Sequence, residues 1–275
     1  MSITADQHVH SHHSADSEER MERIAEQAIA AGLRDLCFTE HNDFDYPDVG
    51  DEEIKKTTFY LDTDAYHEEY LSVRERYADR IRLHFGVELG LQPHLAEENR
   101  AFVQAKPYDL VIASIHVSRG RDPYYPAFYE GRTEEEAMRE ILEETLENIR
   151  VFDDFDVLGH LDYILRYVPS GRQTMDMDPF SDLLDEILAL LIRRGQGLDL
   201  NSQPIWKKGY PEMNPSRQIL LRYRALGGRI ITFGSDAHRA ANVAGGFDRA
   251  AALARACGFD GYAVYSGRSG QMRPL

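Results

Sequence analysis

The chain has 275 residues, with 31 Lys and Arg against 47 Asp and Glu, for a formal charge of −16. That acidity, without any basic run, excludes a footprint for a nucleic-acid backbone, and no run of about 18 apolar residues is present to cross a membrane. No basic-then-apolar leader opens the chain, and its two cysteines, Cys37 and Cys257, sit in apolar runs as small buried hydrophobes, so a reducing cytoplasm is the expected setting.

Strand-like and helix-like stretches alternate along the chain. Ser2 to Val9 reads as a short first strand. Ser17 to Ala31 places Met21, Ile24, Ala25, Ala28 and Ile29 at helical spacing and stops at Gly32. Asp35 to Thr39 is a second strand running into Glu40-His41, followed by a long acidic and aromatic loop over 42–60. A helix is expected over Ala65–Tyr77, a third strand over Ile81–Val87 ending at Glu88, and a short helix over Ala96–Gln104. The apolar run from Tyr108 to Ile115 predicts a buried fourth strand ending at His116. A Tyr- and Pro-bearing loop covers 118–132, and Thr133 with Glu136 forms a capping box for a helix reaching about Phe152. Phe155–Leu158 is a fifth strand closing on Gly159-His160. Asp178-Pro179 opens a helix to Arg194, and Gly197–Leu200 is a sixth strand ending at Asn201-Ser202. Asn214-Pro215 opens a helix that Gly227-Gly228 ends. Arg229–Phe233 is a seventh strand leading into Gly234-Ser235-Asp236-Ala237-His238, and a last helix runs from about Val243 to Ala256. No linker or repeat interrupts the alternation. Residues 1–275 therefore read as one domain with a mainly parallel sheet, a barrel being favoured over an open doubly wound sheet.

The histidines decide where chemistry lies. Four of eleven fall within Asp6-Gln7-His8-Val9-His10-Ser11-His12-His13-Ser14-Ala15-Asp16. His8 and His10, two apart, project from one face of a strand. By itself this stretch reads either as a metal site or as a tag remnant or solvated terminus, although tags are usually uninterrupted His runs. The other strand ends weigh on that choice. His41, Glu88, His116, His160, Asp236 and His238 all stand at, or just past, the C-terminal end of a strand, and in a parallel α/β barrel those ends share one face, where active sites sit. The set contains His, Asp and Glu but no Cys, which argues against a closed structural zinc site. It exceeds what one ion needs, so two or three divalent ions (Zn, Mn or Fe) are expected, with Glu88 as a bridge. Such ions would give an acidic protein the local positive potential that an anionic substrate requires, and clustered ions are a recurrent solution for phosphoester hydrolysis. His67, His84 and His94 lie in or beside helices or within a strand and are read as structural, while His12 and His13 are read as rim residues.

Asp6-Gln7-His8-Val9-His10-Ser11, Thr39-Glu40-His41, Gly86-Val87-Glu88, Ser114-Ile115-His116, Gly159-His160-Leu161-Asp162 and Gly234-Ser235-Asp236-Ala237-His238 resemble, in order, the motifs of the PHP (polymerase and histidinol phosphatase) family. Within it the chain is most similar to the histidinol-phosphate phosphatases. The resemblance implies a distorted TIM-like (β/α)7 barrel with a trinuclear metal centre. Carried over residue by residue, His8, His10, Glu88 and Asp236 would hold one ion, Glu88, His116 and His160 a second, and Asp16, His41 and His238 a third. His8, His10, Glu88, His116, Asp236 and His238 would form the catalytic set. The implied activity is hydrolysis of L-histidinol phosphate to L-histidinol and phosphate by attack of a metal-bridging hydroxide. Many family members carry the acid of the first motif one residue earlier, where this chain has Ala15.

Ser118, Arg166 and Asn201 follow strand ends and are candidates to touch a small phosphorylated substrate. Arg166 is the foremost cationic clamp, because a guanidinium matches phosphate in a bidentate manner; a rim arginine paired with a surface acid is the alternative. Lys207 and Lys208 are weaker candidates. Two other functions stay open at this point: a phosphoesterase acting on nucleotides or another small monoester, and a metal-binding module without catalysis.

Overall fold

The computed structural model describes residues 3–275, so Ser2, the expected start of the opening strand, lies outside the described residues. Seven strands form the barrel wall: β1 (Ala5–Val9), β2 (Asp35–Asp43), β3 (Arg82–Gly90), β4 (Leu110–Ser114), β5 (Val157–Leu158), β6 (Gly197–Asn201) and β7 (Ile231–Gly234). Each pairs in parallel with the next, in chain order. The connecting helices are α1 (Met21–Ala30), α2 (Thr63–Arg76), α3 (Ala96–Gln104), α4 (Glu134–Val151), α5 (Ser181–Arg194), α6 (Gln203–Lys208), α7 (Arg217–Ala225) and α8 (Phe247–Ala256). This is the barrel that the strand alternation favours, in the distorted (β/α)7 form that the family resemblance implies.

The period of two explains which side chains face where. On β3, Phe85, Val87 and Leu89 enter the apolar layer between wall and helices, so Glu88 points to the barrel interior. The capping box at Thr133 and Glu136 is present, and α4 buries Ala137, Met138, Ile141, Leu142, Leu146 and Ile149 at helical spacing. The ring does not close by a regular ladder. β1 and β7 meet at their C-terminal ends through a Val9–Ala237 bridge, with Asp236 N donating to His8 O at 2.8 Å and His10 N donating to Ala237 O at 2.9 Å.

Several boundaries differ from expectation. β2 continues through Glu40-His41 to Asp43 because it pairs with β3 over its whole length. The helix expected from Asn214-Pro215 begins at Arg217, since Asn214 pairs back onto Asn201. The last helix starts at Phe247, not Val243, because a short 3-10 turn over Ala240–Asn242 precedes it and Gly246 lies at φ 70. α6 is too short for its periodicity to register.

A C-terminal hairpin, β8 (Gly261–Ser266) and β9 (Ser269–Pro274), was not anticipated. Its turn residues Gly267 and Arg268 both have positive φ (55 and 62), the requirement of a primed turn. Ala263 and Tyr265 pack against Cys37, Leu110, Ile112 and Val157 from three wall strands. Gln7 stitches them to β1, its Nε2 donating to Ala263 O and its Oε1 accepting from Tyr265 N, both at 2.7 Å. Acids where wall strands begin hold the hairpin's cations: Arg268 Nε meets Asp156 Oδ2 at 2.5 Å, and Arg273 Nη1 meets Asp35 Oδ2 at 2.5 Å. The hairpin thus plugs the N-terminal mouth and leaves the opposite mouth for chemistry.

Two outcomes test this plug. Tyr265→Ala should lower unfolding stability by about 3 kcal/mol, read from the urea midpoint at constant slope; a loss below about 1 kcal/mol would refute the packing role. Burial works against the Asp35 carboxylate, but His84, Arg273 and Arg82 outweigh it and hold its pKa well below the usual range. A depressed pKa contributes stability above the unfolded value of about 4, lost as pH falls below it. Asp35→Asn should therefore destabilise the protein at pH 7, with the gap from the parent narrowing only below about pH 4 in paired urea titrations.

Candidate metal centre

Glu88 stands at the middle of the open mouth, fully buried. Its Oε2 lies 3.0 Å from His8 Nε2, 3.1 Å from His41 Nδ1 and 3.5 Å from His10 Nε2. Its Oε1 lies 2.9 Å from His160 Nε2 and 3.3 Å from His116 Nε2, and accepts from Ser114 Oγ at 2.6 Å. Four wall strands thus deliver five imidazoles to one carboxylate. Asp236, just past β7, presents Oδ1 3.5 Å from His10 Nε2, and Asp16 presents Oδ2 3.1 Å from His238 Nε2 and 3.7 Å from His41 Nε2. The structure brings together all nine residues expected to ligate metal.

Burial and mutual charge set the protonation. Burial would raise the Glu88 pKa, yet His8, His116 and His41 hold it well below the usual carboxylate range. Burial, with His41 and His238 beside it, pushes His10 down, and burial pushes His160 down to about 4, so both imidazoles are neutral, as ligands must be. For His41, burial is outweighed by Asp16 and Glu88, and its pKa rises to about 9. Burial likewise opposes the charged Asp16, but His41 and His238 hold its carboxyl below the ordinary value.

The residues fit divalent ions. Buried His10 Nε2, His41 Nδ1 and His238 Nε2 face carboxylates without the geometry of a hydrogen bond, an arrangement costly unless something else accepts their lone pairs. Donor atoms gather within 4.8 Å of one another in the groups His8/His10/Asp236, Glu88/His116/His160 and His10/His41/His238. All are nitrogen or carboxylate oxygen, the donor set of zinc, manganese or iron.

A layer behind the imidazoles of the cluster fixes their orientation. His8 Nδ1 lies 2.9 Å from Asp199 Oδ2, whose other oxygen accepts from Thr232 Oγ1 at 2.7 Å. His116 Nδ1 lies 2.8 Å from Asp43 Oδ1 and His10 Nδ1 lies 3.1 Å from Ser14 Oγ. Glu40 is buried beside this site and holds the turn after β1 by accepting from Ser11 N, Ser11 Oγ and Ser14 Oγ. Gly234 has no room for a side chain, since a Cβ there would collide with His8 Cβ. Asp43, Glu40 and Asp199 were missed as partners, although each lies on the inner or rim end of a strand already identified.

The three expected substrate contacts part company. Arg166 is not a rim residue. It is buried, with Nη1 on Asp236 Oδ2 at 2.9 Å, Nε on Asn214 Oδ1 at 2.9 Å, and Nη2 without a partner, and it lines the cavity above the cluster. Asn201 is set behind that cavity and donates to Asp236 Oδ2 at 3.1 Å. Ser118 faces away, its Oγ donating to Glu140 at 3.4 Å while its backbone pairs with Arg121; a tight turn carries it off the rim. Of the lysines, Lys207 lines the cavity, whereas Lys208 lies over the Tyr167 ring. The cavity holds about 600 Å³, with Phe59, Tyr124, Tyr163, Tyr167, Trp206 and the buried Asp122 in its wall. Phe59, Tyr124 and Asp122 come from the loops over 42–60 and 118–132, whose aromatic content was the one signal, whereas Tyr163 stands in a short 3-10 turn, Tyr167 just after it and Trp206 on α6.

The PHP domain profile matches residues 6–203, and a histidinol-phosphatase of Lactococcus lactis is 33% identical over 267 residues, 95% of this chain and 94% of that one. The chain belongs to the PHP domain family. A crystal structure of histidinol phosphate phosphatase from Lactococcus lactis, complexed with zinc, L-histidinol and phosphate, matches this PHP barrel with a TM-score of 0.88 and 32% identity over 98% of both chains. A Listeria monocytogenes protein shares the fold at a TM-score of 0.75 and 19% identity, over 89% of this chain and 98% of its own. Among the described residues no helix is long and apolar enough to cross a membrane.

Asp199→Ala should weaken metal binding to this PHP site by about 10–100-fold, the usual cost of losing a partner behind a ligating histidine. Competition with a zinc chelator checks this, and unchanged affinity would remove Asp199 from the site.

Proposed function

We propose that this chain is a metal-dependent histidinol-phosphatase, a phosphoric monoester hydrolase converting L-histidinol phosphate to L-histidinol and phosphate. The observation that carries the reading is the full His/carboxylate set on the floor of a cavity whose wall offers a guanidinium, aromatic rings and a carboxylate, in a chain one-third identical to a named histidinol-phosphatase. His8, His10, Glu88 and Asp236 would hold one ion, Glu88, His116 and His160 a second, and Asp16, His41 and His238 a third. Zinc is the first choice because the Lactococcus lactis structure contains it; manganese and iron suit the same donors. Bound divalent ions would supply a water of lowered pKa as nucleophile and Lewis-acid stabilisation of the phosphoryl oxygens.

The chain's own residues do the rest. Arg166, oriented by Asp236, Asn214 and Gln203, keeps Nη2 free to donate to a phosphoryl oxygen. Asn201 acts through Asp236, whose Oδ2 it holds, and Ser118 is set aside as a contact because it does not reach the cavity. Tyr163 and Tyr167, packed edge to face with ring centroids 5.2 Å apart, give the cavity an aromatic side against which an imidazole ring can pack. Asp122 faces the same cavity, its Oδ1 accepting from Tyr124 N at 2.7 Å and its Oδ2 from Tyr46 OH, and it is the anion that would meet the substrate's ammonium. Residues 1–275 are read as one catalytic domain, and two buried free cysteines suit a reducing cytoplasm.

A hydrolysis panel of the metal-loaded protein should favour histidinol phosphate over mononucleotides, dinucleotides and aryl phosphates; a nucleotide preference would overturn the substrate, and no turnover with any metal would favour a binding module. Asp122→Asn should lower kcat/KM for histidinol phosphate by about 10–100-fold, the worth of a charged hydrogen bond, while leaving an aryl phosphate little changed. An equal loss on both substrates would refute the ammonium role.

A further inference from the structure

Two histidines of the opening motif take no part in the centre. The turn that follows β1 sends Asp16 inward to His41 and His238, so Asp16 rather than His12 or His13 stands against that pair. His12 and His13 face Glu69 on α2 instead. His12 Nε2 lies 3.2 Å, and His13 Nε2 2.9 Å, from the same Glu69 Oε2, with the two rings 4.5 Å apart. The three donor atoms fall within 4.8 Å of one another.

Two imidazole nitrogens and a carboxylate oxygen converging on one point are a donor set for a first-row divalent ion. Its geometry also suits, because a tetrahedral ion bound at the usual zinc–nitrogen and zinc–oxygen lengths keeps its ligand atoms about 3.3 Å apart. His13 is nearly buried against the Tyr66 ring at 5.5 Å, whereas the His12 side chain is 39% exposed. Three protein donors with one open side leave room for water as a fourth ligand, and the net acidity of the chain favours a cation there.

We infer that His12, His13 and Glu69 form a second metal site at the barrel rim, outside the catalytic cluster, which takes one late first-row divalent cation. An ion there cross-links the turn after β1 to α2. That turn carries Ser11 and Ser14, which hold Glu40, and it supplies Asp16.

The test is zinc stoichiometry by equilibrium dialysis against buffered free zinc, with elemental analysis of the retained protein. The parent chain should bind one zinc more than the His12→Ala/His13→Ala double variant, and kcat/KM for an aryl phosphate should stay the same. Glu69→Gln keeps the turn and both imidazoles, so it decides the matter should the double variant fail to fold. It should weaken the extra ion by at least the roughly 10–100-fold that loss of even an outer partner costs. Equal stoichiometry in parent and Glu69→Gln at every free-zinc level overturns the site. Loss of more than one ion together with activity also overturns it, since the trio would then belong to the catalytic cluster.

Discussion

A carboxylate without solvent contact is the constraint on which the rest depends. An isolated buried charge is among the most costly features a protein can hold, and it survives only when paired and hydrogen-bonded. Glu88 meets that condition through Ser114 Oγ and imidazoles from β1, β2, β4 and β5. No one of those strands could satisfy it. The need therefore links chemistry to topology, because only a closed ring of parallel strands brings so many C-terminal ends within reach of one side chain. It also resolves the charge conflict in a chain of net charge −16. Ions held by this cluster would supply the local positive potential that an anionic substrate needs.

The two mouths of the barrel divide stability from chemistry. At the upper mouth, β1 and β7 join through the backbones of His8, His10, Asp236 and Ala237. The closure of the ring is thus made by the very residues that converge on the site, and any slip of β1 would displace two of its histidines at once. At the lower mouth, the hairpin fills the space with Ala263 and Tyr265 while Asp35 and Asp156 fix its arginines.

Much of this was legible in the sequence, and what escaped has a physical reason. The gathering of these side chains could be read because a strand announces its end, and a His or Glu there has a predictable place. The capping box of α4 and the apolar run of β4 were equally local signals. Asp199 and Asp43 could not be read as partners of His8 and His116, since that pairing depends on distances across the barrel. The hairpin escaped because β9 is almost wholly exposed and follows no alternation, so its pairing with β8 rests on a two-residue turn. Ser118 misled because a strand end fixes where a chain emerges but not how the next turn directs it.

Asp236 shows how strain can serve such a site. Its φ of 54 is unusual for a non-glycine residue, a conformation that costs free energy unless the surroundings impose it. The surroundings do so, since its N–H is held by His8 O and its Oδ2 takes hydrogen bonds from Arg166, Gln203 and Asn201. With Oδ2 so occupied, Oδ1 is left to face His10 and His8. One carboxylate thus divides itself between the guanidinium on one side and the imidazole cluster on the other. The Arg166 guanidinium and the imidazoles of His8 and His10 are thus held on opposite oxygens of one carboxylate, in a backbone conformation that the surrounding hydrogen bonds impose.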